Sequence, residues 1–347
     1  MTGQKLTSLE AVDKLQVLPE RKFHSATHEE IAMGATTDIY FVRTYEILSH
    51  LGKLNTRVTA EIFPRRAGVM AGTEEVVNLL REQEGVKVWA LAEGEEFAAK
   101  EVIMRIEGPY SEFGLYETVV LGMLASPCGW ATAARECKKA AGEKGVFAFG
   151  ARHVHPAVAP VMERAALIGG VNGASCILGA KLAGRNPSGT VPHAAFLIAG
   201  DTVTVANTYH EVMPPDAPRI ILVDTFKDEA EETLRVAEAL GSALDGVRLD
   251  TPGERGGVTP GLVYEIRNRL DQAGYEHVQI FVSGGITPER IVELGEAGAA
   301  AFGVGSYITS APPIDMTMDL KEVDGKPVAK RGRVPGSTPQ PRLQRLL

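Results

Sequence analysis

The sequence predicts an α/β chain: a β/α barrel over residues 131–310, an α+β domain over 1–130 before it, and a C-terminal segment, 311–347, after it. Three observations predict this. From about residue 146, short apolar runs alternate with amphipathic helical segments, the rhythm of a parallel sheet covered by helices. Most of these runs close on small, polar or basic residues, and a β/α barrel carries its chemistry at the carboxyl ends of its strands. The first 130 residues lack that rhythm and mix strands with helices, as a separate α+β module does.

In the first module Val86–Leu91 (VKVWAL) and Val102–Ile106 (VIMRI) read as strands and Gly108-Pro109 as a turn. Thr73–Arg81 and Tyr116–Leu124 read as helices. The barrel opens with Val146–Phe149. Arg219–Val223 (RIILV) is a buried-strand run ending at Asp224, and the helix after it sets Ala230, Leu234, Ala237 and Leu240 on one face. Gly246–Leu249 is a strand ending at Asp250. Thr259-Pro260 then reads as N-cap and first turn of a helix whose Leu262, Ile266 and Leu270 face inward. Val278–Val282 (VQIFV) leads into Ser283-Gly284-Gly285, and Thr287-Pro288 repeats the capping device. Ala300–Phe302 is the last strand, closed by Gly303-Val304-Gly305-Ser306. After Ser310 the rhythm is lost, and 326–347, with six basic side chains, four prolines and no acid, reads as a partly solvated tail.

A length of 347 residues suits one large domain with an appendage, or two domains. The net charge of −8 excludes a chain built for nonspecific nucleic-acid binding, which needs a basic surface. Any phosphate site must be a local positive focus on an acidic protein. Cys128, Cys137 and Cys176 form no CxxC pair and no disulfide framework, so they read as small buried side chains in a reducing compartment. No apolar run approaches the roughly 20 residues that span a bilayer, and the N-terminus lacks a secretory h-region. The expected location is the cytoplasm, with no membrane partner.

Two glycine turns at neighbouring strand ends, Gly284-Gly285 and Gly303-Val304-Gly305-Ser306, suit a phosphate cradle, because glycine allows close backbone approach and positive φ. Each alone also reads as a plain turn. Arg248 and Asp250 alternate on one strand end and point to one side. They can clamp an anion and accept from sugar hydroxyls, or pair with each other to order the barrel mouth. Arg255, on the glycine-rich stretch Gly253–Gly257, suits a mobile cover. Phe149 and Arg152, three residues apart, suit a flat anionic ligand, the ring stacking and the cation pairing. His153 and His155 form an HxH without a third ligand at metal spacing. His193, in Gly189-Thr190-Val191-Pro192-His193, lies in a stretch of little helical tendency, and is either structural or a nucleophile or acid/base. Tyr40, in Thr37-Asp38-Ile39-Tyr40-Phe41, reads as core or surface from pattern alone.

Taken together the set resembles the type II pyridine phosphoribosyltransferases. The similarity runs from Thr37-Asp38-Ile39-Tyr40 through Gly108-Pro109, Glu117-Thr118 and Gly129-Trp130-Ala131-Thr132 to the final strand. Its specific part is Phe149-Gly150-Ala151-Arg152 together with Gly-Thr-x-x-His at 189–193, which marks the nicotinate and nicotinamide branches. The resemblance implies the irregular β/α barrel of that family, with 311–347 packing back on the N-terminal domain. It implies transfer from phosphoribosyl pyrophosphate (PRPP) to nicotinate, giving nicotinate mononucleotide and pyrophosphate for NAD biosynthesis, with Mg²⁺ carried by PRPP and ATP.

ATP would be a co-substrate, phosphorylating His193 transiently. Phe149 and Tyr40 would sandwich the pyridine, Tyr40 coming from a neighbouring subunit of a homodimer or higher oligomer. Arg152 would hold anionic groups, Arg248 the nicotinate carboxylate, Asp250 the ribose hydroxyls, and Gly284, Gly285, Gly303, Gly305 and Ser306 the 5′-phosphate. Asn172, in Gly170-Val171-Asn172-Gly173, would face the ring substituent, and its neutrality would favour an acid over an amide. The last cysteine is Cys176, so the zinc knuckle near the C-terminus of some compact relatives is not expected. Nicotinamide and quinolinate are the alternative substrates, and a non-catalytic barrel that binds phospho-ligands is the alternative class.

Overall fold

The computed structural model describes residues 5–347. The chain divides into two units, one running to Ala131 and resuming over Pro312–Leu347, the other spanning Thr132–Ala311. In the first unit the strands are Arg57–Pro64 (β1), Gly68–Val69 (β2), Lys87–Ala90 (β3), Glu96–Phe97 (β4) and Met104–Pro109 (β5). β1 pairs antiparallel with β5, and β5 with β3. Val58, Ala60 and Ile62 of β1, Val88 and Ala90 of β3, and Met104 and Ile106 of β5 share one face and pack on Val76, Leu80, Val120 and Leu124 of the helices. The i, i+2 spacing of those strand residues is what puts them on one side.

The second unit holds Gly145–Ala148 (β6), Gly173–Ala174 (β7), Ile220–Leu222 (β8), Gly246–Leu249 (β9), Gln279–Ser283 (β10) and Ala301–Val304 (β11). All are parallel, in the order β7-β6-β11-β10-β9-β8. The sheet is therefore a half-barrel with β7 and β8 as its edges. Val247, Leu249, Ile280, Val282, Phe302 and Val304 are fully buried, as expected of strands covered on both faces. Thr259 and Thr287 cap their helices through Leu262 N–H and Arg290 N–H, with proline in the first turn of each. Val263, not Leu262, joins Ile266 and Leu270 inside. His193 does not sit in an extended loop: Pro192, itself extended, is the N-cap, and His193 is the first residue of helix His193–Ala199.

The chain then returns to the first unit with Met316–Val323 (β12), Lys326–Pro327 (β13) and Gln344–Arg345 (β14). β12 pairs with β1 along most of its length and β14 with β3. Glu61, buried on β1, accepts from Arg105 Nη2 at 2.6 Å and from Thr338 N at 2.9 Å, and Arg342 donates to Glu101 at 2.7 Å. The basic segment is thus held by carboxylates of the first unit, while much of its surface stays exposed. Among the described residues no helix is long and apolar enough to cross a membrane.

Candidate active site at the carboxyl ends of the parallel strands

The loops that follow β6, β7, β9, β10 and β11, joined by Gly189 and Thr190, line a cavity of about 480 Å³. Phe149, Arg152, Arg248, Asp250, Gly284, Gly285, Gly303, Gly305 and Ser306 all line it. Arg248 is its most constrained cation. Nε donates to Ser283 Oγ at 2.9 Å, Nη1 to Thr190 Oγ1 at 2.8 Å and Nη2 to Asp250 Oδ2 at 2.9 Å. Ser283 Oγ in turn donates to Asp250 Oδ1 at 2.9 Å. These bonds are those of the pairing reading: guanidinium and carboxylate order each other at the strand end through a shared serine hydroxyl.

Phe149 stacks on Phe281 with centroids 5.9 Å apart and 13° between the planes. The Arg248 guanidinium sits 5.6 Å from the Phe149 ring centre. Aromatic face and cation thus meet at the cavity wall. The two glycine turns are glycine for different reasons. Gly284 and Gly285 have φ of +89° and +63°, the left-handed region that favours glycine. Gly303 has no positive φ; a Cβ there would lie 2.5 Å from the Phe149 ring, and one on Gly305 would lie 2.9 Å from His153. The second turn is glycine to make room for the aromatic and the imidazole, not to reach an unusual backbone angle. Arg255, expected on a mobile cover, lies within ion-pair distance of Asp228 at 3.5 Å and Glu229 at 3.8 Å.

His193 does not line the cavity, although Gly189 and Thr190 just before it do. Its Nε2 lies 3.1 Å from both oxygens of Asp224, two residues beyond the end of β8. The Asp224 side chain is 1% exposed and that of His193 is 40% exposed. Burial pushes the Asp224 carboxyl above its ordinary range; the facing His193 opposes this, and Asp250 adds to it. With Nε2–H given to the carboxylate, Nδ1 carries the lone pair. Asp224 was legible only as a strand terminus; that the next strand also ends on an aspartate was the available signal.

Asn172 does not line the cavity either. Asn172 precedes β7, and its Oδ1 accepts from Val146 N at 3.0 Å at the start of β6. It therefore caps the amino end of the sheet, about 10 Å of strand away from the loops that line the cavity. The residue after β7 that does line the cavity is Ser175; Asn172, expected to face the ring substituent, faces the opposite end of the sheet. Tyr40 belongs to the first unit, where it lies half-exposed near the start of helix Ile39–His50 with its ring 4.2 Å from that of Phe41. His153 lines the cavity, whereas His155 Nδ1 accepts from Ala157 N at 3.1 Å. Among the described residues no three His, Cys, Asp or Glu side chains converge as metal ligands.

The fold and this strand-end constellation define a phosphoribosyltransferase of type II. The chain matches the quinolinate phosphoribosyl transferase N-terminal domain over residues 38–128 and the C-terminal domain over 130–319, and it belongs to that family, the type II pyridine phosphoribosyltransferases. It is 27% identical to nicotinate phosphoribosyltransferase pncB1 of Mycobacterium tuberculosis, over 86% of this chain and 74% of that one. It is 30% identical to the nicotinate phosphoribosyltransferase of Bacillus subtilis, over 69% of this chain and half of the other. Among solved structures, the nicotinate-nucleotide pyrophosphorylase of Pyrococcus furiosus superposes with a TM-score of 0.86 at 46% identity, covering 91% of this chain and 82% of that one. Human nicotinic acid phosphoribosyltransferase, at 21% identity and a TM-score of 0.69, covering 87% and 77%, shares the fold.

Proposed function

We propose that the chain is a nicotinate phosphoribosyltransferase that couples transfer to ATP hydrolysis through a phosphohistidine. The observation that carries the ATP part is the pairing of half-exposed His193 with buried Asp224, which leaves Nδ1 as a nucleophile. Nδ1 would take the γ-phosphoryl group as its bond to the bridging oxygen breaks and ADP leaves; water would later cleave the N–P bond, releasing phosphate and restoring the imidazole. In the transfer step the pyridine nitrogen bonds to ribose C1 while the C1–oxygen bond to pyrophosphate breaks. The protein's part is to position these atoms and to offset the charges that develop.

Phe149 offers a stacking face, Arg248 and Arg152 offer charge to the nicotinate carboxylate and the phosphates, and Asp250 offers an acceptor to ribose hydroxyls. The two glycine turns with Ser306 offer room and backbone N–H groups to the 5′-phosphate. Mg²⁺ would arrive with PRPP and ATP and neutralise phosphate charge. The carboxylate of Asp250, partly open to the cavity, suits a cation that keeps most of its water and phosphate ligands. The exposure of Tyr40 supports a site shared between subunits of a homodimer or larger oligomer.

The family match also keeps quinolinate in view as substrate. Nicotinate, nicotinamide and quinolinate should therefore be offered with PRPP and Mg²⁺, each with and without ATP. Nicotinate turnover stimulated by ATP, with acid-labile label from γ-labelled ATP that is lost in His193→Ala, is the expected result. Turnover of quinolinate alone, or equal labelling of His193→Ala, would overturn the proposal. Mixing Tyr40→Ala with His193→Ala should restore activity through hybrid sites; no recovery in subunits shown to exchange would mean self-contained sites.

A further inference from the structure

Glu163 is fully buried in helix Ala159–Gly169, and nothing in the proposed chemistry uses it. Its carboxylate accepts from Ala151 N at 3.1 Å, in the loop after β6, and from Ser175 Oγ at 2.9 Å and Cys176 N, in the loop after β7. Ala151 and Ser175 both line the cavity, as does Arg152 beside Ala151. A buried carboxylate is costly unless its lone pairs are taken up by donors, and here the donors come from two different strand-end loops. The three bonds fix both loops to one helix.

They also decide what Ser175 can offer. A hydroxyl has one proton and two lone pairs. With the proton committed to Glu163, only lone pairs are left for a ligand.

We infer that Glu163 is a positioning residue of the active site: it holds the Arg152 and Ser175 loops together and makes Ser175 a pure hydrogen-bond acceptor, recognising a donor group of the bound nucleotide such as a hydroxyl or N–H. The inference rests on the cavity being the nucleotide site, but not on which pyridine base is used.

Glu163→Gln, isosteric but able to direct an amide N–H at Ser175, loses one acceptor and frees the Ser175 rotor. Its KM for PRPP should rise about 10- to 100-fold, with kcat reduced much less and the midpoint of thermal unfolding moved little. Binding of nicotinate mononucleotide, measured by calorimetry on the full chain, should weaken in Glu163→Gln and in Ser175→Ala. The double variant should bind no more weakly than Glu163→Gln alone. Additive losses, or Glu163→Gln binding as tightly as the parent, would overturn the inference. Should Glu163→Gln fail to fold, Ser175→Thr, which keeps a hydroxyl for Glu163, must bind more tightly than Ser175→Ala; equal binding by the two overturns it as well. A parent chain that binds no mononucleotide overturns the reading of the cavity, and this inference with it.

Discussion

Asp224 and Asp250 end neighbouring strands of one parallel sheet, and the same residue type in the same topological place is put to different use. Asp250 is partly open to the cavity and bonded to a guanidinium and a hydroxyl. Asp224 is closed off, and its side-chain partner is an imidazole. Arginine stays charged at every pH the protein meets, so the Arg248–Asp250 pair is a fixed dipole. An imidazole can change charge, accept a phosphoryl group and release it. The strand end sets where each aspartate lies; the partner across from it sets whether the pair is static or switchable. If this is right, the two aspartates should fail differently when each is made neutral.

The largest effect is expected at the static pair. Asp250→Asn keeps the shape but removes the charge that pairs with Arg248, and leaves one oxygen where two accepted, from Arg248 Nη2 and from the Ser283 hydroxyl. Transfer measured as kcat/KM should fall about 10³-fold, equally with and without ATP. Asp224→Asn should instead cost about 10²-fold in the rate of phosphoryl labelling, because an amide no longer secures the tautomer of His193. It should leave ATP-independent transfer within a few-fold of the parent. Equal losses in both assays for both variants would mean that the pairs act as one network.

Gly303→Ala sharpens the contrast further, since it disturbs only the arginine side. A methyl group 2.5 Å from the Phe149 ring must displace that ring, disturbing its stack on Phe281 and its approach to Arg248. Overpacking of this kind costs roughly 1–3 kcal/mol, so KM for the pyridine should rise about tenfold and the unfolding midpoint should drop by a few degrees. Labelling of His193 by ATP should stay unchanged. A parallel drop in labelling would show that the ring also supports the His193 loop, and that the two pairs are less separate than their bonding suggests.

How much of this was legible in the sequence depends on what each residue had to signal. The half-barrel strands were legible because buried parallel strands are short apolar runs, and the Thr-Pro caps marked two helices outright. Met316–Val323 was not, because an antiparallel strand with one covered face alternates Met316 and Met318 with polar neighbours and resembles a polar tail. Arg248, Asp250 and Phe149 were found because chemistry at strand ends is a topological rule. Asn172 entered through the family resemblance alone, and the two-residue strand after it, Gly173–Ala174, gave no local pattern against which to check that placement. Glu163 was invisible for a plainer reason: a glutamate on a helix reads as solvated, and only burial and three donors reveal otherwise.

The smallest expected effect concerns pH and stability at the switchable pair. Burial holds the folded Asp224 carboxyl above its ordinary range, although His193 pulls the other way. A carboxyl with a raised folded pKa binds its proton more tightly in the native state than in the unfolded chain. Its contribution to stability is therefore fully present below the unfolded carboxylate pKa, and it is lost as pH rises through the folded value. Asp224→Asn has no proton to lose, so that decline should vanish. The stability difference between parent and Asp224→Asn, followed by denaturant unfolding from pH 4 to pH 7, should shift steadily in favour of the variant. If the difference moved the other way, the imidazole would outweigh burial. Asp224 would then be held as firmly ionised as a carboxylate facing an arginine, and the distinction between a static and a switchable strand end would fail at its electrostatic root.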